Sequence, residues 1–472
     1  MSRTPGAPTK MSTSDAKAAL AKLEEYSASE LVRRAVERRA VEAVIWGMPA
    51  VNFDRMCQAM LRLPKSGFNQ VVYWSRLPDW KNQTLTPNPD SIYLMPFFNT
   101  KEVGPVVLEI PPADDGSITG SIDDAWQTAL ADVGPAGADK GVGGKYLILP
   151  PDHTGEMPDG YFVLPCETYR GFALLRSILR SGDDADIAKA VAYGKRIRIY
   201  PLAEADDAPP TAFVDAIDTI FDAAIPYDLR FFESLSRVVQ AEPWLARDRA
   251  VVDSLRSLGI EKGKLFLPDA RTQDILDDAA REAHAWLDLR YESAFAPPFY
   301  EEHHWALPVS SEVIEGLQTG FDNPDCYPLD GRGTTFSMGF FSAKHLGAGQ
   351  FYLMTIKDRA GRALDGAKTY RLTVPVRAPA RQYWSTTVYD RHTHTLIRNQ
   401  TRASRSSQNP DLMTNKDGSV DIFFGPKAPD GWETNWVPTS ASGHFEVLFR
   451  LYGPKKSFFD KNWVLPDLEK IG

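Results

Sequence analysis

Residues 364–390 read LDGAKTYRLTVPVRAPARQYWSTTVYD. Two runs rich in β-branched and aromatic residues, 368–374 and 382–389, flank a Pro-rich connection, the pattern of two strands joined by a turn segment. Similar runs at 351–357, 420–424 and 445–451 have turn residues between them, and this spacing predicts a sandwich or jelly roll. Toward the N-terminus the pattern turns helical over about 168–320, with runs at 186–198, 210–224, 229–239, 247–258 and 272–295. Before that block, short apolar or aromatic runs at 71–74, 106–110, 146–149 and 161–164 are separated by Pro, Gly, Asn and Asp clusters, which predicts a second β-rich region. The first sixty residues are helical from Ser12, with a new start at Ser27 to Ser29 followed by Leu31, Val36, Val41, Val44, Ile45 and Met48 at three- and four-residue spacing.

The fold class is therefore α+β: an N-terminal β-containing domain, an intervening helical block and a C-terminal jelly-roll-like β-sandwich. The expected boundaries are a tail over 1–15, a helix plus β-rich region over 16–165, the helical block over 166–325 and the sandwich over 326–472. A chain of 472 residues suffices for two or three sizeable cores at about 150 residues per domain. The two β regions echo each other. GGKYLILPPDHTGEMPDGYFV in the first and DGSVDIFFGPKAPDGWETNWV in the second each carry a Gly-led strand ending near Pro, then P-D-G before an aromatic. A duplicated unit and the mere recurrence of turn grammar both account for this.

Composition excludes several classes. Lys plus Arg number 53 against 62 Asp plus Glu, a net charge of −9, and without a basic block the chain is no nucleic-acid binder. Cys57, Cys166 and Cys326 lie far apart without C-x-x-C spacing, which excludes a disulfide framework and a thiolate zinc site. The opening residues have no apolar core of a secretory signal, and no run approaches the ~20 residues of a membrane span, so a cytoplasmic location is expected. G-x-S-x-G and G-x-G-x-x-G are absent, and GVGGK lacks the following Ser or Thr of a phosphate loop. No cofactor is called for.

Several segments together resemble one known family. LTPNPDSIYLMPFFN (85–99), GPVVLEIPP (104–112), GVGGKYLILPP (141–151) and PDGYF (158–162) are similar to its N-terminal signature. LDGAKTYRLTVPVRAPARQYWSTTVYD, FGPKAPDGWETNW (424–436) and FRLYGP (449–454) are similar to its C-terminal one. The family is bacterial and has two domains, the domains of unknown function 1254 and 1214, often labelled cell-envelope proteins. The resemblance implies an N-terminal β-containing domain, intervening helices and a C-terminal jelly-roll-like sandwich, and it implies no particular reaction. Many relatives carry export signals, and the first residues here do not match one.

The candidate site residues come from side-chain type. Asn88, Asp90 and Tyr93 follow two prolines that stiffen their loop, an arrangement that presents an amide, a carboxyl and a phenol or else caps its own backbone. Asn399 and Arg402, with Trp384 and Trp436, offer a guanidinium fork and stacking faces suited to gripping a carboxylate, a sulfate or sugar hydroxyls. The histidine pairs 303/304 and 392/394 lie beside carboxylates; if 392 and 394 are in a strand they share a face, but no metal motif accompanies them, and no metal ligand is assigned. The leading reading is an enzyme acting on a small organic or carbohydrate-like substrate by hydrolysis or elimination in a cleft between the β domains. In it Asp90 is general base, Tyr93 or Lys145 proton donor and Arg402 anion clamp, with Asn88, Trp384, Asn399 and Trp436 binding the substrate. The alternatives are a non-catalytic β-sandwich that binds a ligand or partner, and a homo-oligomeric structural protein.

Overall fold

The computed structural model describes residues 26–339, 343–345 and 349–471; the expected tail and the helical pattern before Tyr26 lie outside them. The first helix, Ala28–Leu61, begins where the sequence predicts. Ser27 adopts an extended backbone and its side chain accepts from the Glu30 amide, satisfying one of the amides that a helix start leaves without a partner. Its second half is buried on all sides, against helices Leu229–Ala241, Ala270–Ser293 and Leu329–Met338.

The N-terminal strands are β1 (Gln70–Tyr73), β2 (Asn82–Gln83), β3 (Ile92–Asn99), β4 (Val106–Ile110), β5 (Ile118–Asp124), β6 (Ala129–Val133), β7 (Gly144–Leu149), β8 (Phe162–Pro165), β9 (Arg170–Ser177), β10 (Arg198–Pro201), β11 (Phe213–Asp215) and β12 (Phe221–Asp222). They form a six-stranded sheet in the order β11-β1-β3-β9-β5-β6, a four-stranded sheet β10-β4-β7-β8 and the pair β12-β2. The C-terminal strands are β13 (Gln350–Thr355), β14 (Tyr370–Val374), β15 (Trp384–Asp390), β16 (Ser404–Ser406), β17 (Val420–Gly425), β18 (Trp436–Pro438), β19 (Phe445–Tyr452) and β20 (Glu469–Lys470). They form two sheets, β13-β19-β15-β16 and β18-β17-β14-β20, packed face to face around Leu353, Leu372, Ile422, Val447 and Phe449. The chain is α+β, with a helical block between two β units.

The echo in the sequence corresponds to a repeat of connectivity. Strands β3 to β9 pair as β3-β9-β5-β6 and β4-β7-β8; β13 to β19 pair as β13-β19-β15-β16 and β14-β17-β18. In both units the strand after P-D-G, β8 or β18, runs parallel to the strand before it. Tyr93-Leu94-Met95 on β3 matches Tyr352-Leu353-Met354 on β13, and Leu174-Leu175-Arg176 on β9 matches Leu448-Phe449-Arg450 on β19. The register agrees too: Tyr93 is opposite Arg176, and Tyr352 is opposite Arg450.

Two expectations need correction. Residues 210–224 are not a helix, although their apolar spacing fits one. The Asp215 carboxylate accepts from the Ile217 and Ser75 amides, a local turn that competes with helix, and the flanking residues pair as β11 and β12. The segment from 170 to 177 is a central strand where helix is expected. It is buried almost throughout, and a short apolar run covered on both faces has no alternation to distinguish it from buried helix.

Candidate active site

β19 alternates in the way a strand with two different faces must. Val447, Phe449 and Leu451 enter the sandwich core, while Glu446, Leu448, Arg450 and Tyr452 point to the other side. That side is also buried, because the N-terminal unit covers it. Between the units lies an internal cavity of about 40 Å³, room for on the order of three waters. Its wall combines the matched residues of both repeats: Tyr93, Leu174 and Arg176 from one, and Tyr352, Leu448 and Arg450 from the other.

The two guanidiniums decide the electrostatics. Arg450, 1% exposed, donates to Thr387 Oγ1 at 2.8 Å, to the Thr86 carbonyl at 2.9 Å and to the Tyr389 hydroxyl. Arg176, 7% exposed, lies 5.2 Å from the centre of the Tyr93 ring. Among the described residues neither forms an ion pair with a carboxylate, and the Nε of each is buried without an acceptor. Tyr452 stacks on Tyr383 at 4.4 Å, with its ring 6.5 Å from that of Tyr352. The Asn88 amide donates to its hydroxyl oxygen at 2.7 Å. Burial would push the Tyr452 phenol up, but Arg176 and then Arg450 outweigh it and hold the group below the ordinary phenol range. Tyr352 and Tyr383 go the other way, raised first by burial and then by charge on Tyr452. The Tyr352 hydroxyl interacts with the Tyr452 oxygen and adds to the lowering of its pKa.

Beside this group, Glu446 is fully buried and bonded at 2.8 Å to both His394 Nδ1 and the Tyr291 hydroxyl. The sequence reading passed over Glu446, Arg176, Arg450 and Tyr452. Arg450 and Tyr452, as polar residues alternating with Phe449 and Leu451 in FRLYGP, carried a readable signal; Arg176, in a run mistaken for helix, did not.

Three predicted residues gather here. Tyr93 lines the cavity, and its hydroxyl accepts from the Asn88 backbone amide at 2.8 Å. Asn88 Oδ1 accepts from the Asp90 amide, so the loop caps itself and also reaches Tyr452. Asp90 is buried beside the cavity and does not line it; its Oδ1 accepts from the Ser404 hydroxyl at 2.9 Å, and burial raises its pKa against that bond and the Arg450 charge. Asp90→Asn keeps the shape and an acceptor oxygen for Ser404. It is expected to move stability by no more than about 1 kcal/mol and activity by less than about tenfold, checked by thermal unfolding and turnover.

The other predicted residues do not converge on this cavity. Lys145 is exposed on β7, opposite Glu109 and 5.9 Å from the Tyr161 ring. Trp384 is a core side chain stacked on Phe449 at 5.6 Å. Asn399 occupies an exposed turn at φ 61°. Arg402 is committed to the carbonyls of Glu433 and Trp436 at 3.0 and 2.9 Å, and the Trp436 indole donates to the Gly425 carbonyl. The sequence could not reveal that backbone carbonyls take up Nη1 of that guanidinium and the indole N–H.

His392 and His394 follow β15 in a turn, His394 at φ 55°, so they do not share a strand face. His392 meets His284 at 4.9 Å, and His284 stacks on Tyr227 at 3.7 Å. His304 bonds Asp467. Among the described residues no three His, Cys, Asp or Glu side chains are grouped to hold a metal. Burial first, then the charge of His392, lowers the pKa of His284 to about 4. An unfolded histidine takes its proton near 6.5, so stability is lost as pH falls from about 6.5 toward 4. With partial solvent screening the loss is on the order of 1 kcal/mol. His284→Gln is expected to flatten this limb in a series of unfolding curves against pH.

The fold and the cavity define a class: two β units of one connectivity, closed over a buried Arg–Tyr cluster. Two family models, each described as a protein of unknown function, match the chain: DUF1254 over residues 68–201 and DUF1214 over 349–456. The chain belongs to the family that joins these two domains. The crystal structure of the VPA0106 protein from Vibrio parahaemolyticus is similar at 17% identity, covering 93% of this chain and 100% of that one, with a TM-score of 0.56. It shares the fold. An uncharacterized protein from Burkholderia cenocepacia aligns over 93% of this chain and 95% of its own at 10% identity with a TM-score of 0.41, too distant to bear on the comparison. No curated protein matches. Among the described residues no helix is long and apolar enough to cross a membrane.

Proposed function

We propose that the protein is an enzyme that removes a proton from carbon in a small organic molecule, an elimination carried out in the cavity between the β units. The observation that carries this reading is Tyr452, a buried phenol that accepts from the Asn88 amide and is held below the ordinary phenol range by two guanidiniums. A general base works best when its pKa approaches the working pH. Tyr352 lines the cavity and Tyr452 lies one side chain behind it, so the pair relays the proton: the substrate C–H electrons form the new double bond, the leaving group departs with its own pair, and the proton ends on tyrosine oxygen. Elimination is favoured over hydrolysis because the polar wall is built of tyrosine, arginine and Thr86, groups suited to moving protons and holding charge.

The test is incubation of the full chain in D2O with a panel of small hydroxy and unsaturated acids, followed by proton NMR. Enzyme-dependent loss of a C–H signal is expected. A protein that binds members of the panel and exchanges nothing is a carrier or sensor, and that result sinks the enzyme reading.

A further inference from the structure

We propose that the cavity binds a short monocarboxylate, with its oxygens held by the guanidiniums of Arg176 and Arg450. This rests on the reading of the cavity as the reaction site and names the substrate class for it. The first ground is unspent binding capacity. Each guanidinium is more than nine-tenths buried, lines the cavity and leaves its Nε without an acceptor. A buried donor without a partner costs free energy that a ligand oxygen recovers, and a charged donor more so.

The second ground is charge. Two guanidiniums contribute two positive charges, and no carboxylate among the described residues pairs with them. Asp90 lies behind Ser404 and does not line the cavity. An anion offsets this positive charge, whereas a neutral molecule leaves it unpaired. The third ground is shape. Much of the remaining wall is apolar, with Leu85, Leu174, Val309, Met338 and Leu448, which suits a short hydrocarbon chain behind a carboxylate. Because one arginine comes from each repeat, a single carboxylate joins the two β units.

The test is calorimetric titration of the full chain with propionate, its neutral amide propionamide, and sulfate. Wild type is expected to bind propionate about 10- to 100-fold more tightly than propionamide, and Arg176→Met to lose a similar factor, with Arg176→Lys recovering part of it. Tyr452→Phe leaves both guanidiniums and the cavity lining in place, so it is expected to bind propionate about as tightly as wild type. Equal affinity for propionate and propionamide, or sulfate binding wild type more tightly than propionate, overturns the proposal. If Arg176→Met does not fold, thermal unfolding of wild type decides: propionate raises Tm and propionamide does not, and equal shifts overturn the assignment. Wild type that binds propionate selectively but exchanges no C–H proton counts against the elimination alone and supports the carboxylate site.

Discussion

Tyr452→Phe is expected to abolish proton exchange at carbon, a loss of about 10²- to 10⁴-fold, the range that one general base supplies. The variant should fold. Its ring still stacks on Tyr383, and Asn88 keeps Ser91 and Tyr383 as acceptors within 3.3 Å. The loss is therefore chemical: without the phenol oxygen, Arg176 and Arg450 have no phenol whose pKa they lower. The pH dependence carries the same signature. A base is active once its proton is gone, so wild-type exchange should rise with pH through a single deprotonation below the ordinary phenol range, and Tyr452→Phe should lack that limb. Retained exchange with an unchanged pH profile would remove Tyr452 from the reaction.

Phe449→Ala is expected to cost about 3–5 kcal/mol of stability, read as a lower midpoint in urea unfolding. Phe449 is fully buried and lies between Trp384, Trp463 and Trp305, with ring centres 5.6, 6.0 and 6.4 Å away. Large rings on three sides cannot collapse into the space, so the cavity persists and the lost contacts are not recovered. Its neighbours Leu448 and Arg450 face the opposite way into the cavity between the units, so under the proposed function a variant that still folds should also lose proton exchange. A shift below about 1 kcal/mol would mean that the sandwich does not close around this ring. This result also separates two readings of the tryptophans: a stacking platform for ligand would leave stability nearly unchanged, whereas a core would not.

How much was legible depended on whether a signal was local. Strand runs, the Ser27 helix start and the long helices at 229–241 and 270–293 follow from periodicity and capping, which act over a few residues. The loop from Asn88 to Tyr93 was legible for the same reason, since prolines and short polar side chains set its shape. Arg402 and Trp436 misled because their partners are backbone carbonyls in other segments, 31 and 34 residues away for Arg402 and 11 for Trp436. Asp90 has the right chemistry for a base, but folding places it behind Ser404 rather than on the cavity wall.

The sequence by itself determined the α+β class, the family, the two β regions and the echo between them, because alternation, turn residues and helix caps are written in neighbouring positions. Only the tertiary structure decided that the two units close face to face and bring Arg176 and Tyr93 against Arg450 and Tyr352. That juxtaposition depends on strand register and on which face each unit buries, and both are settled by packing across the interface between segments 259 and 274 residues apart. The perturbed phenol of Tyr452 follows from it, because an electrostatic shift of that kind exists only once two buried charges have been brought together away from water.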